Sequence, residues 1–122
     1  MIAGLGHCLL AAKAYEVAII DGVYNAFKDE EGLAAECVQG RDMGFDGKTL
    51  IHPAQIDVAN AAFSPTEAEI DLAARQIVAF DAAIASGQAV AVVDGQIVEN
   101  LHVATAHETL AKVAAIKSLM AE

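Results

Sequence analysis

Three residues carry side chains suited to acid–base or ligand-binding chemistry and follow apolar runs typical of strands. Asp21 and His52 each follow a short apolar run, and Glu99 follows the second half of an apolar hairpin pattern. A carboxylate beside a strand end can act as a general base if enclosure tunes its pKa. Each residue also has a structural interpretation: Asp21-Gly22 suits a tight turn, His52 can orient its loop by hydrogen bonding, and Glu99 can cap a helix or face solvent.

The four histidines do not form a metal-site pattern. His102 and His107 are five residues apart on a predicted helix, so they do not share a face as an i, i+4 pair would. His7 is remote in sequence, and no cysteine–histidine spacing suits zinc. Magnesium would need several carboxylates near the strand ends, where only Asp21 and Glu99 qualify. We therefore predict that no metal is bound by residues of this chain alone.

Composition restricts the classes of function. The formal net charge is −10, from 17 acidic and 7 basic residues. The basic residues are scattered, which argues against nucleic acid and against an anionic membrane surface as partners. No apolar run approaches the roughly 20 residues that cross a bilayer. The two cysteines form no paired framework, which suits a reducing cytoplasm, so we expect a cytoplasmic protein.

The first half of the sequence has the order of a βαβ unit. Asp29 is a suitable N-cap for a helix, Gly44 suits its left-handed end, and Pro53 stops the second strand. The predicted elements are a helix over residues 7–16, strands at Val17–Ile20 and Gly47–Ile51, and helices at Glu30–Met43 and Ala54–Ala62.

The second half is predicted to be two long helices around a hairpin. Ser64-Pro65-Thr66-Glu67 is typical of a capping box with proline at the first helical position. Asp94-Gly95 between two apolar runs indicates a type I′ hairpin turn. A final helix is predicted over residues 101–120. The residues predicted to face inward are Ile70, Ala73, Ile77, Phe80 and Ile84 on the first helix, and Val103, Ala106, Leu110, Val113 and Leu119 or Met120 on the last.

Three segments resemble the C-terminal part of the HpcH/HpaI aldolase and citrate lyase β-subunit superfamily. They are IIDGVYNAFKDEEGL (19–33), GRDMGFDGKTLIHPAQIDVANAAFSPTEAEI (40–70) and VVDGQIVENLHVATA (92–106). Within them the pattern GFDGK–IHP–Q–N–F–P is far more specific than a glycine motif. The sequence is most similar to malyl-CoA lyase and citryl-CoA lyase-like members, and the resemblance covers essentially the whole chain.

The resemblance implies an α/β, mostly helical fold. Residues 1–63 would supply the last two strand–helix units of a TIM-type barrel, and residues 64–122 a C-terminal helical lid with a small hairpin. A complete barrel of this kind needs roughly 250 residues. In this family the preceding strands carry the arginine that grips the substrate and the two acidic residues that hold magnesium, so we expect the magnesium ligands to lie outside this chain.

The resemblance also implies roles for particular residues. In the acyl-CoA lyases an acid after the hairpin reaches the active site of a neighbouring subunit, and Glu99 occupies that position, where those members usually have aspartate. Ile51, His52 and Pro53 would border the coenzyme A entrance, and Asp21 is a further candidate for ligand contact. Tyr24 and Phe27 could border a nucleotide, although core positions are favoured for both.

The implied activity is magnesium-dependent cleavage of a 3-hydroxyacyl-CoA, of citryl-CoA or malyl-CoA type, to acetyl-CoA and an oxo-acid. We expect this chain to be inactive by itself and to function within a homo-oligomer that binds an acyl-CoA thioester. Two alternatives stay open. The chain could be a non-catalytic, self-associating module whose unpaired strand edges drive association, or one half of a split lyase with a separately encoded N-terminal half.

Overall fold

The computed structural model describes residues 1–121, and the chain divides into two units between Ser64 and Pro65. The division lies one residue after the boundary expected from the sequence. The first unit contains α1 (Ile2–Ala14), β1 (Ile20–Asp21), α2 (Glu30–Met43), β2 (Gly47–Lys48), a 3-10 turn (Pro53–Gln55) and α3 (Ile56–Phe63). The second contains α4 (Glu67–Ala85), β3 (Ala91–Val93), β4 (Gln96–Val98) and α5 (Asn100–Met120).

Helix α2 has the predicted bounds because both of its ends carry local signals. The Asp29 carboxylate accepts a hydrogen bond from the Gly32 N–H at 3.0 Å, which satisfies one of the unpaired first-turn amides. Two glutamates, Glu30 and Glu31, occupy the first turn, where the helix dipole favours negative charge. Gly44 ends the helix with φ of 108°, a left-handed conformation that favours glycine.

The two strands of the first unit are parallel but shorter than predicted. Ile20 pairs with Gly47 and Asp21 with Lys48. The predicted strand residue Val17 lies outside the ladder and is 57% exposed. Apolar β-branched residues favour strands, but an assigned strand also needs a hydrogen-bonded neighbour, and among residues 1–121 each strand has one. The predicted β–α–β order is confirmed, whereas the predicted strand lengths are wrong.

Helix α1 begins earlier and ends earlier than predicted. It starts at Ile2, because the alanine- and leucine-rich opening favours helix without a side-chain cap. It ends at Ala14, two residues before the predicted end, and Glu16 has a left-handed φ of 54°. The Val17 N–H then donates to the Ala12 carbonyl at 2.9 Å, which satisfies a carbonyl of the last turn.

The core of the first unit lies between α2 and α3. Leu33, Cys37 and Ala59 are buried there, and Tyr24 and Phe63 are among the partly buried side chains that pack against them. Burial is the main cause that raises the pKa of the Cys37 thiol.

A lysine whose side chain is fully buried joins three elements of the first unit. The Lys48 side chain is 0% exposed, and its Nζ donates to Asp21 Oδ2 at 2.9 Å and to Glu36 Oε1 at 2.6 Å. Burial lowers the pKa of Lys48, but the hydrogen bonds to Glu36 and Asp21 outweigh it and the pKa is raised. Gly40 gives the Asp21 carboxylate room, since a β-carbon there would lie 3.2 Å from Oδ2. The ammonium group thus ties β2 to β1 and to α2.

In the second unit, α4 begins two residues later than the predicted capping box. Thr66 is the N-cap: its Oγ1 accepts the Glu69 N–H at 3.2 Å, and Glu69 Oε2 accepts the Thr66 N–H at 2.7 Å. The predicted cap residue, Ser64, instead ends α3, because its N–H donates to the Asn60 carbonyl. Two overlapping segments, 64–67 and 66–69, have the spacing of a capping box. The second one caps α4, because Ser64 is the C-cap of α3.

The predicted hairpin turn is confirmed. Asp94 and Gly95 have φ of 51° and 75°, the pair of positive values that a type I′ turn requires. The strands are antiparallel, with Ala91 opposite Val98. Arg75 of α4 holds the turn, since its guanidinium donates to Asp94 Oδ1 at 2.7 Å and to Asp71 Oδ2 at 2.8 Å.

The core of the second unit lies between the hairpin and α4. It comprises Ala83, Ala91, Val93 and Val98, with Leu72, Ala79, Phe80 and Val103 packed against them. The predicted inward positions Ala73 and Ala106 are buried. Ile84, Leu119 and Met120 are wrong predictions, since they are 64%, 74% and 83% exposed. In the part of the chain that the structure describes, no helix combines the length and the hydrophobicity needed to cross a membrane.

Replacing Lys48 by methionine tests the buried ion pair. We expect Lys48→Met to lower the free energy of unfolding by about 3 kcal/mol, because it leaves the Asp21 carboxylate buried without its partner. The control is Lys13→Met, because Lys13 is 54% exposed and pairs with Asp46 at 3.3 Å; its loss should cost less than about 1 kcal/mol. Urea unfolding of the three proteins measures both values, and equal losses would contradict the prediction.

The contribution of Lys48 to the free energy of unfolding also depends on pH. It is complete below the ordinary lysine pKa of 10.5 and is lost as pH rises through the raised pKa of the folded state.

Candidate functional site

The loops that follow β1 and β2 form the candidate site. The two strands are parallel, so their carboxyl ends lie at the same edge of the sheet, which is where α/β folds place ligands. The loop after β1 carries Tyr24 and Phe27, and the loop after β2 carries Ile51, His52 and Pro53. Three of the five predicted site residues are therefore in this second loop.

A buried glutamine joins the two loops. Gln55 is 0% exposed. Its Oε1 accepts the N–H groups of Ile51 at 3.0 Å and His52 at 3.3 Å, and its Nε2 donates to the Tyr24 carbonyl at 2.8 Å. Sequence reasoning missed this residue. The available signal was its position three residues after His52 at a helix start, the spacing of a capping box with histidine in place of serine.

His52 is exposed, and its ring is held in one orientation. Its Nδ1 accepts the Ala54 N–H at 3.1 Å, so the proton of the neutral ring is carried by Nε2. The ring stacks on Phe27 with centroids 4.5 Å apart and an interplanar angle of 24°. Lys28 Nζ lies 5.8 Å from the centroid of the Phe27 ring. The loops thus present a stacked aromatic pair, a ring N–H and a cation.

Tyr24 and Phe27 differ in their environments. Tyr24 packs against the core of the first unit, as expected. The expectation of a core position is wrong for Phe27, which is 40% exposed, because its ring packs on His52 instead. An aromatic residue in an aromatic-poor chain suggests a core position, and the sequence does not reveal that a histidine 25 positions away along the chain faces it.

A tyrosine–aspartate hydrogen bond fixes the end of the first loop. The Tyr24 hydroxyl donates to Asp29 Oδ2 at 2.6 Å, while Asp29 Oδ1 caps α2. The hydrogen bond from Tyr24, followed by that from the Gly32 N–H, lowers the pKa of Asp29. The same bond raises the pKa of Tyr24. Gly32 is required here, because a β-carbon at this position would collide with the Tyr24 hydroxyl and the Asp29 carboxylate.

Asp21 lies at the edge of the sheet, with both carboxylate oxygens engaged. Oδ2 accepts from Lys48, and Oδ1 accepts the Gly22 N–H at 2.8 Å. Among residues 1–121, no three His, Cys, Asp or Glu side chains converge in a way that could hold a metal ion. The residues described therefore do not fit a magnesium site, and the expectation that its ligands lie elsewhere stays a prediction.

Glu99 lies in the second unit, at the N-cap position of α5. Its side chain is exposed, and its backbone N–H donates to His102 Nδ1 at 2.9 Å. Glu99 lines a groove of about 790 Å³ between α4, the hairpin and the start of α5. The groove is mainly apolar, with Phe80, Ile84, Val90 and Ile97 among its walls. The exposed carboxylate thus stands beside an apolar surface.

Comparison with known proteins identifies the family. The family model described as C–C bond lyase of the TIM-barrel fold matches residues 1–119. The chain belongs to this family. Its mostly helical architecture, with a parallel β–α–β unit, agrees with that fold.

The chain is also similar to individual proteins. It is 70% identical over 121 residues to a (3S)-malyl-CoA thioesterase of Cereibacter sphaeroides, covering 99% of this chain and 42% of the relative. It is 41% identical over 91 residues to citrate lyase subunit beta of Leuconostoc mesenteroides subsp. cremoris, covering 75% of this chain and 30% of the relative. The crystal structure of CitE from Mycobacterium tuberculosis, in complex with magnesium, acetoacetate and coenzyme A, matches with a TM-score of 0.67 and 31% identity. That match covers 87% of this chain and 38% of that one, so this chain spans less than half the length of each protein.

Replacing Tyr24 by phenylalanine tests the electrostatics of the loop. Tyr24→Phe removes the phenol donor, so the pKa of Asp29 should rise toward its ordinary value of 3.8. A lowered carboxylate pKa contributes stability above that value and loses it as pH falls through the folded pKa, so the variant should be less sensitive to acid. Carboxyl carbon NMR titration measures the shift. Tyr15→Phe is the control, since Tyr15 precedes β1 and is 81% exposed. An equal change in the pKa of Asp29 in both variants would contradict the role of the Tyr24 hydroxyl.

Proposed function

We propose that this chain provides part of the acyl-thioester site of an enzyme that hydrolyses a malyl-CoA-type thioester. The observation that carries the proposal is the 70% identity to a (3S)-malyl-CoA thioesterase over 99% of this chain. Hydrolysis adds the oxygen of water to the acyl carbon and breaks the carbon–sulfur bond. The products are the free hydroxy acid and coenzyme A as its thiol.

The loop edge of the first unit is proposed as a wall of the coenzyme A entrance. Ile51, His52 and Pro53 follow β2 at the edge where a barrel of this family would place its ligand site. The Phe27–His52 stack offers a flat apolar surface, and Nε2 of His52 offers a donor. Asp21 is proposed to act indirectly, because its carboxylate is paired with Lys48, the last residue of β2 before this loop. The net charge of −10 implies that cations from outside this chain meet most of the charge of the phosphates.

Glu99 is proposed as an acid–base group that acts in the site of a neighbouring subunit. Its exposed carboxylate stands beside an apolar groove, so a second subunit that covered the groove would also enclose the carboxylate. In hydrolysis the carboxylate would take a proton from the attacking water. Because Glu99 would act in the site of another copy of the chain, the proposed enzyme is a homo-oligomer.

Carbon–carbon cleavage is the second candidate activity, favoured by the family model and by the similarity to citrate lyase subunit beta. In that reaction the 3-hydroxyl group loses its proton and the bond between carbons 2 and 3 breaks. The acyl fragment leaves as an enolate and gains a proton, which gives an acyl-CoA and an oxo-acid. Magnesium, when bound, would stabilise negative charge on the oxo-acid oxygen. The ligands for it would have to come from outside residues 1–121.

A hybrid enzyme separates the two activities. In this hybrid, the chain replaces the matching 121-residue segment of the Cereibacter sphaeroides thioesterase. With malyl-CoA we expect free thiol to appear, measured with a thiol reagent, without an equal amount of oxo-acid, measured as a hydrazone. Oxo-acid release without thiol would overturn hydrolysis and support the lyase. The chain assayed alone should cleave neither the carbon–sulfur bond nor the carbon–carbon bond of malyl-CoA. Cleavage of either bond by the chain alone would contradict the proposal that it provides only part of the site.

The Glu99→Gln variant of the hybrid enzyme tests the acid–base role. We expect kcat to fall about 100-fold with little change in KM, because the amide keeps the shape but cannot accept the proton. Glu108→Gln, which changes an exposed acid on the same helix, is the matched control and should keep full activity. Equal kcat values in the two variants would contradict the role. An active hybrid that is monomeric by light scattering would contradict the reach to a neighbouring subunit.

A further inference from the structure

We infer that Gln55 is a positioning residue that holds the loops after β1 and β2 together as one wall of the ligand site. The inference rests on the proposed function, because it assigns the residue that shapes the proposed coenzyme A entrance. Gln55 does not contact the ligand in this scheme. It acts through the backbone of Tyr24, Ile51 and His52.

Both the oxygen and the nitrogen of the Gln55 side-chain amide are hydrogen-bonded. Its oxygen accepts two adjacent backbone N–H groups, and its nitrogen donates to a carbonyl of the other loop. The side chain is 0% exposed, so none of these bonds competes with water at the surface. A buried polar group of this kind is costly if its partners are lost. The arrangement therefore favours a single relative placement of the two loops.

The residues that Gln55 holds are themselves exposed. Ile51 is 52% exposed and His52 is exposed, although their backbone N–H groups point to a buried oxygen. On the solvent side, the loops meet in the stack of Phe27 on His52. The two loops are thus joined by the buried hydrogen bonds of Gln55 and, on the exposed side, by the Phe27–His52 stack. Ligand binding to a wall already ordered in this way avoids the entropic cost of ordering two loops.

Variants of Gln55 in the hybrid enzyme test the inference. Gln55→Glu keeps the two acceptor bonds but cannot donate to the Tyr24 carbonyl, and Gln55→Leu removes all three bonds. The readouts are the Kd of coenzyme A by isothermal titration, and KM and kcat for malyl-CoA. We expect Kd and KM to rise about tenfold in both variants with kcat within about threefold of the parent, because the loss is one of preorganisation. Gln39→Glu, on the exposed face of α2, is the charge-matched control and should leave all three constants unchanged.

Amide hydrogen exchange supplies a readout that does not depend on catalysis. In the parent hybrid without ligand, the amides of Ile51 and His52 should be protected despite their exposed side chains, and Gln55→Leu should speed their exchange at least about tenfold. Unprotected amides in the parent would overturn the inference even if no Gln55 variant folds. Faster exchange with unchanged Kd and KM would overturn the positioning role and leave a structural one.

The outcomes separate this inference from the proposed function. A parent hybrid that binds coenzyme A but releases no thiol overturns the hydrolysis proposal, and the Gln55 inference is then decided by the coenzyme A Kd. A parent hybrid that binds no coenzyme A overturns both. A kcat that falls as far as the Kd rises in Gln55→Glu would contradict positioning through the loops, since it would place the residue at the reacting atoms.

Discussion

The buried ammonium group of Lys48 is the constraint on which the first unit depends. A charge without exposure is tolerated only when it is paired and hydrogen-bonded, and both of its partners come from other elements: Asp21 from β1 and Glu36 from α2. Because side chains alternate along a strand, a one-residue slip between β1 and β2 would turn Lys48 away from these carboxylates. The ion pair therefore sets the register of a ladder only two residues long. The positions of the loops beyond the ladder follow from that register.

Local signals explain what the sequence predicted well. The bounds of α2 follow from Asp29 and Gly44, and the hairpin turn follows from Asp94-Gly95, because each motif satisfies its own backbone within a few residues. The IHP–Q segment was correctly assigned to a family, since the family model covers residues 1–119. The family did not by itself fix the reaction, because the similarity to a thioesterase is greater than that to citrate lyase subunit beta. Fold and family were thus predictable to a greater depth than activity.

The features that escaped prediction are long-range. Lys48 and Asp21 are 27 residues apart in sequence, and Gln55 bonds to a carbonyl 31 residues before it. Neither pairing has a spacing rule, so both become visible only when the strands are aligned. The strand lengths failed for a related reason, because residue type favours a strand but hydrogen-bonded neighbours define one. The predicted start of α4 was wrong because two capping patterns overlap and Ser64, the first residue of the earlier one, instead ends α3.

The partners of Gln55 have a consequence for how the site can change over evolutionary time. All three are backbone atoms, so the fastening does not depend on which side chains stand at positions 24, 51 and 52. Substitutions at those positions can alter the surface offered to a ligand while the two loops keep their placement. In the proposed site, the residue that holds the two loops together is therefore distinct from the residues that would face a ligand. With that separation, a few exposed substitutions could change the surface offered to a ligand without moving the loops, which suits a chain similar both to a (3S)-malyl-CoA thioesterase and to citrate lyase subunit beta.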